Sequence, residues 1–290
     1  MQTKKINLLE KRTFSDELTI TFQFIKQEFK SLIKAFSAIV LPLIFVELFL
    51  QSFLLRDILG GAARNAFADG GSGWTTMLVN YLLAIFVFAW LQLFVLSYLR
   101  LYTDKYLQQE EIKISFLELL KVMGRNSGLF FVLGIVYLFY VVMGCVIFIL
   151  PGIYISVIFI FSSCFLIIRD RKLFSAFASS ADLCRGQWWN TFGYILLCSL
   201  IVSMLGYVFN LPYLGIFLEA YLTGNQPGLF ELTLVNSVGI IGRYLMNIVF
   251  IVGIGVRFFS RLERKEHRTL LDKIGQIGTE ERTESGEDGV

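Results

Sequence analysis

From Gly128 to Ile168 the chain runs forty-one residues without a charged side chain, interrupted only by Leu150-Pro151-Gly152. Each half holds about twenty residues, enough for a helix rising about 1.5 Å per residue to cross a hydrocarbon core of about 30 Å. Proline lacks the backbone donor a helix interior needs, and the glycine after it lets the chain reverse. The run therefore predicts two membrane crossings joined by a tight turn. With 56% hydrophobic and 17% charged residues, the rest of the chain is equally unlike a soluble domain.

Similar runs place six spans at Leu32–Leu55, Thr75–Leu99, Gly128–Ile149, Gly152–Ile168, Thr191–Leu211 and Leu234–Phe259. The first begins too late and runs too long for a cleaved signal peptide, so it is expected to stay in the mature protein. The expected fold is all-α: a polytopic membrane bundle of six transmembrane helices carrying amphipathic cytoplasmic interfacial helices. Residues 1–31 form a cytoplasmic amphipathic N-terminal segment, 32–259 the transmembrane domain, and 260–290 a basic then acidic tail expected to be largely disordered.

Of the 26 Lys and Arg, 23 fall before or within the first residues of the first span, in the second and fourth connections, or within the last residues of the last span and beyond it. Arg56 and Arg64 sit in the first opposite loop, which is rich in glycine and too short for a domain. Positive flanks are retained in the cytoplasm, so both termini are expected there. Because the basic residues spread along one membrane face, the net charge of +3 does not point to nucleic acid.

Between Phe14 and Phe36, apolar Phe14, Leu18, Phe22, Ile25, Phe29, Leu32 and Phe36 recur three or four residues apart, with Glu17, Lys26, Glu28 and Lys30 on other faces. That period predicts an amphipathic helix. The pattern returns at Ile114–Val122 and at Leu173–Cys184. It reads either as three weak repeats of a surface helix feeding a hairpin, or as the anchoring any hairpin with basic flanks needs. Trp74, Tyr98, Tyr102, Trp188 and Trp189 lie at span ends, where aromatic belts form. Tyr213, Phe217 and Tyr221 predict a short helix on the opposite side.

No motif dictates a reaction, and no catalytic, cofactor or metal site is assigned. The single histidine, His267, follows the last span, so a zinc pair or a buried nucleophile–histidine dyad of the usual kind cannot be assembled. Cys145, Cys164, Cys184 and Cys198 form no Cys-x-x-Cys and read as small buried hydrophobes. Gly71-Ser72-Gly73 lacks the strand and helix of a phosphate loop, and Glu110-Glu111 reads as a solvated loop pair.

Two charges inside spans need explaining, because an ionised side chain near the bilayer centre costs roughly 2.5–3.5 kcal/mol on insertion scales. Glu47 and Arg243 lie at similar depths in the first and last spans and are expected to meet. Asn236, Arg243 and Asn247 share one helix face expected to point into the bundle, with Gly239 admitting a close neighbour. Gln51 and Asn80 lie in the same half, whereas Gln92 is the strong candidate in the other. The cluster reads as a packing ion pair rather than a transport path, since a path needs polar groups at several depths.

Pro151, Gly152 and Tyr154, followed by Ser180, Leu183, Arg185, Gly186, Trp188 and Phe192, resemble a known pattern. They are similar to uncharacterised bacterial six-span membrane proteins related to the membrane domain of glycerophosphoryl diester phosphodiesterases. Ala181 stands where that family often has tryptophan. The resemblance implies a bacterial cytoplasmic membrane protein. It imports no phosphodiesterase chemistry, because that family's catalytic barrel is a separate soluble domain.

The expected function is a non-catalytic, membrane-organising, lipid-interacting or accessory subunit. Lys26, Lys30, Arg185 and Arg268 would hold anionic membrane lipids. A small transporter built around Glu47 and Arg243 is the alternative, and an intramembrane enzyme the third. A protein partner or a homo-oligomer stays open; no nucleic acid is expected.

Overall fold

The computed structural model describes residues 5–59, 72–147, 149–223 and 228–287; it leaves out the side chains of 53–59, 72–73, 76, 141–142, 145–147, 149–150, 217, 220, 229 and 267–287. Among the described residues it is entirely helix and link, with no strand. In chain order the helices are α1 (Phe14–Ile39), α2 (Leu41–Leu59), α3 (Ser72–Leu107), α4 (Phe116–Ile147), α5 (Ile149–Ile168), α6 (Leu173–Cys184), α7 (Trp188–Val208), α8 (Leu211–Thr223) and α9 (Leu229–Glu287). Five of them contain a stretch long and apolar enough to cross a membrane, and there are six if the bent pair α1–α2 is counted as one span. The protein is a multi-pass membrane helix bundle.

The expected first span, Leu32–Leu55, is not one helix. α1 and α2 meet at Val40 with a bend of 52°. Pro42 explains the break: it has no N–H to give the Ala38 carbonyl, and its ring would clash with that carbonyl in a continuous helix. At its other end α1 is started by Thr13, whose hydroxyl accepts from the Asp16 N–H while the Asp16 carboxylate accepts from the Thr13 N–H.

α1 also docks on a different face from the one its apolar period picks out. Phe14, Phe22 and Phe29 are exposed, while the buried row is Glu17, Thr21, Phe24, Leu32, Phe36 and Ile39. Phe24 meets Tyr102 of α3 edge-on at 4.9 Å, and Tyr98 donates to Glu28 at 2.8 Å. Leu32 and Phe36 were on the apolar stripe; the rest of the buried row was not.

Two expected surface helices differ as well. Ile114–Val122 does not form a separate helix but opens α4, which runs unbroken into the third span. Gly124 and Gly128 lie within it without breaking it, and no proline is present to do so. α6 has the expected bounds but packs back along α5 instead of lying clear of it. The Ser180 hydroxyl donates to the Ile158 carbonyl, and Phe177 meets Phe159 at 5.2 Å. Buried Ala176 and Ser180 allow this close approach.

The hairpin predicted from the uncharged run is α4–α5. Pro151 and Gly152 lie in the first turn of α5 rather than in the connection, a position where proline's missing N–H costs nothing. The two helices touch backbone to backbone: a Cβ on Gly144 would stand 2.8 Å from the Gly152 Cα. The helix expected from Tyr213, Phe217 and Tyr221 is α8. The glycine-rich loop with Arg64 and the side chains of Arg56, Cys145, His267 and Arg268 lie outside the described residues and side chains; the tail expected to be largely disordered instead continues α9 as helix to Glu287.

α3 and α9 form the centre. From Leu91 to Leu99 α3 is buried on nearly every side, and α9 likewise from Ile251 to Leu262. α7 runs antiparallel to α9: Tyr194 donates to the Gly253 carbonyl at 3.1 Å, and Phe209 and Asn210 press on Gly242 and Gly239. Gly239 thus admits the close neighbour its position suggested. This well-packed region lies toward the end where the Lys and Arg gather. Toward the opposite end Tyr81, Ile135, Phe139, Met204 and Tyr207 are exposed, presenting the apolar surface that lipid covers.

Candidate functional site

Two polar clusters interrupt the apolar bundle. In the first, Glu47 of α2 is completely buried and accepts a 2.6 Å hydrogen bond from the Tyr244 hydroxyl of α9. Arg243 lies 3.8 Å from its other oxygen, so the two expected charges do meet. Gln51 donates to Glu47 at 3.5 Å, and Asn236 donates to Gln51 at 3.1 Å. Helix geometry makes this chain of contacts: Glu47 and Gln51 are one turn apart on α2, facing α9.

Arg243 does not point inward as expected. Its side chain is 53% exposed, its guanidinium sits 5.7 Å from the Tyr244 ring centre, and Tyr244 is the buried neighbour that closes on Glu47. One residue step on a helix is about 100°, so the inward place can belong to Tyr244 or to Arg243 but not to both. Asn247 is half-buried and joins no hydrogen bond among the described residues. In the other half of the bundle, Gln92 donates to Ser163 at 3.0 Å and does not extend the cluster.

The second cluster was not anticipated. Glu17 of α1 and Arg257 of α9 form an ion pair of 2.6 Å with both side chains essentially buried. Arg257 also donates to the side-chain and main-chain oxygens of Asn190 on α7, and its guanidinium lies 5.0 Å from the Tyr194 ring centre. One turn further along α9, Arg261 donates to the same Asn190 side-chain oxygen at 2.9 Å. The Arg12 N–H donates to Ser260 at 3.2 Å, which fastens the N-terminal segment to α9.

Beyond Arg261 these elements part around a cavity of about 840 Å³, walled by the start of α1, the α6–α7 link and α9. Lys11, Arg12, Arg185, Arg261, Arg264 and Lys265 line it, against two carboxylates, Asp16 and Asp182. Burial pushes the thiol of nearby Cys184 up to about 11, the charge of Arg261 opposing, so it is a neutral packing group. Cys164 and Cys198 are likewise buried and unbridged.

The residues behind the family-like pattern come together structurally. Trp188 stacks on Phe192 at 5.2 Å and on Tyr154 at 5.4 Å, and its indole N–H donates to the Tyr154 carbonyl at 3.4 Å. Ser180 and Leu183 are buried against the bundle. Gly186 has φ +75°, a left-handed conformation that lets the chain turn from α6 into α7. Arg185, just before it, is exposed at the cavity. Lys26 and Lys30 are exposed on α1, away from the cavity lining.

Asp170 ties three helices together at the same end. It holds Arg125 at 2.6 Å and Arg100 at 3.4 Å. Partial burial pulls its carboxyl upward, but the hydrogen bonds and charges of the two arginines outweigh this and leave it below the usual carboxylate range. Among the described residues, no three His, Cys, Asp or Glu converge as metal ligands would.

No family model matches the chain, and neither does any curated protein or solved structure.

Proposed function

We propose that this chain is a non-catalytic integral membrane protein that organises or attends the membrane by holding anionic lipid through α1. The observation that carries this reading is the outward face of α1. Phe22 and Phe29 are 45% and 54% exposed and alternate with exposed Lys26 and Lys30. Phenyl rings insert at the level of the acyl boundary while lysines reach the headgroups. The 52° bend at Val40 supports an interfacial course for α1 while α2 spans, and the Glu17–Arg257 pair holds α1 to the bundle from behind.

In this reading both termini are cytoplasmic and the membrane is the bacterial inner one, whose anionic lipids suit the basic face. Each lysine near such a surface contributes about 1 kcal/mol. Reversing both with K26E/K30E should therefore weaken association of anionic lipid with the purified protein by about tenfold or more. Native mass spectrometry of the gently solubilised protein reads this directly. Retention equal to wild type would remove the basis for the proposal.

A second reading, a small transporter, is favoured by the complete burial of Glu47 within a span. Its polar partners Tyr244, Gln51, Asn236 and Arg243 all belong to one cluster in one half of the bundle, which suits packing better than a path. E47Q separates the two. A packing role lowers the unfolding midpoint in detergent, whereas a transport role abolishes flux in reconstituted vesicles with the midpoint unchanged.

A further inference from the structure

Arg261 is 5% exposed, and its Nε finds no acceptor. Its one hydrogen-bond partner among the described residues, the Asn190 oxygen, is neutral and is shared with Arg257. Arg257 pairs directly with Glu17; Arg261 makes no ion pair among the described residues and shares the more distant attraction of that one carboxylate. An arginine taken out of water without an anion is strongly unfavourable, and the guanidinium stays charged under all ordinary conditions. Glu17 alone faces both guanidinium groups, so this pair of arginines carries one positive charge more than it can compensate.

The cavity in front of Arg261 has the charge to recruit that compensation. Arg12 pairs with Glu10 and Lys265 with Asp182, while the Asp16 carboxylate is held by Thr13. Lys11, Arg185, Arg261 and Arg264 enter no ion pair among the described residues. Four unpaired cations around one space exceed what a single carboxylate can neutralise. They match a group carrying more than one charge and several acceptor oxygens, and arginine forks fit phosphate in particular. The volume, about 840 Å³, is that of a ligand site rather than of an ion-sized niche, since ligand pockets span roughly 300–1,000 Å³.

We propose that this cavity binds a phosphate-bearing anion, with Arg261 as the buried anchor and Arg264, Arg185 and Lys11 gathered around the charge. The phosphate belongs either to a phospholipid headgroup or to a water-soluble phosphate compound. The site is distinct from the lipid-facing side of α1, and lining residues from three separate parts of the chain mean that occupancy would clamp α1, the α6–α7 link and α9 together.

The test uses the full chain in nanodiscs of phosphatidylcholine. One arm adds phosphatidylglycerol to the discs, the other adds inorganic pyrophosphate to the buffer, and each is read as a rise in thermal unfolding midpoint with ligand concentration. A rise confined to the lipid arm assigns a headgroup; a rise with pyrophosphate assigns a soluble ligand. In either case R261Q and R264Q should each raise the half-saturating concentration about tenfold, the cost of one charge-assisted contact. K26E/K30E should leave the pyrophosphate response, and the loss that R264Q causes in the lipid arm, at their wild-type values, so the cavity and the α1 surface succeed or fail separately. Arg264 is only half-buried, so R264Q carries the measurement where R261Q does not fold. No rise in either arm, or an unchanged half-saturation in the arginine variants, overturns the proposal.

Discussion

Glu17 is fully buried in the first turn of α1, and the Arg257 guanidinium it faces is 240 residues away in the chain. Removing one member of such a pair strands the other in a low-dielectric setting, at a cost of about 3–5 kcal/mol, whereas replacing both with apolar groups can be neutral. R257M is thus expected to lose stability on that scale in denaturant unfolding of the detergent-solubilised protein, and E17M/R257M to recover most of it. A double variant whose loss equals the sum of the losses of R257M and E17M alone would mean that the two charges act independently. Glu47 and Arg243 were legible because an isolated charge inside an apolar run stands out. Glu17 was not, because charged residues are ordinary on an amphipathic helix and nothing local says which of them turns inward. Arg257 was hidden differently, among the basic residues that end the last span and resemble membrane anchors.

At the scale of elements, α4 and α5 pack closely because Gly144 and Gly152 remove the side chains that would hold them apart. A Cβ on Gly144 meets main chain, which cannot rotate away, so G144V must separate the helices or strain them, a cost of about 1–3 kcal/mol. Gly134 on the same helix has nothing within 4 Å of its would-be Cβ. There G134A should be neutral, or stabilising by up to about 1 kcal/mol through helix propensity. Equal effects of the two variants in unfolding assays would exclude close backbone packing at Gly144. The existence of this hairpin was legible in the uncharged run, and so were the bounds of α6 and the existence of α8. What the sequence pattern misplaced were the joints. Proline can end a helix or open the next, and both Pro42 and Pro151 proved to lie just inside a new helix. Apolar period likewise tells that α1 has two faces without telling which one meets protein, since exposed phenylalanines are tolerated wherever the outside is lipid.

For the whole molecule, asymmetry along the bundle is the governing feature. At the basic end ion pairs join separate elements: Lys105 with Glu118, Arg125 with Asp170 and Arg169 with Glu266. Toward the opposite end the helices present apolar side chains outward, and α8 carries Tyr221 at 85% exposure. A bundle of this kind orients by retaining its positive flanks, so the charge distribution and the packing gradient point along the same axis. The consequence is tested with single cysteines placed in a background lacking the four native ones. Lys113→Cys in the α3–α4 link and Lys172→Cys in the α5–α6 link should share one membrane side, and Tyr221→Cys should take the other. In intact cells a membrane-impermeant maleimide should label Tyr221→Cys alone, with the first two reacting only after lysis. Labelling of Lys113→Cys and Lys172→Cys from opposite sides would break the α4–α5 hairpin on which the fold rests. Joint labelling of those two from outside would keep the hairpin and invert the orientation, placing the basic cavity where only an extracytoplasmic phosphate could reach it.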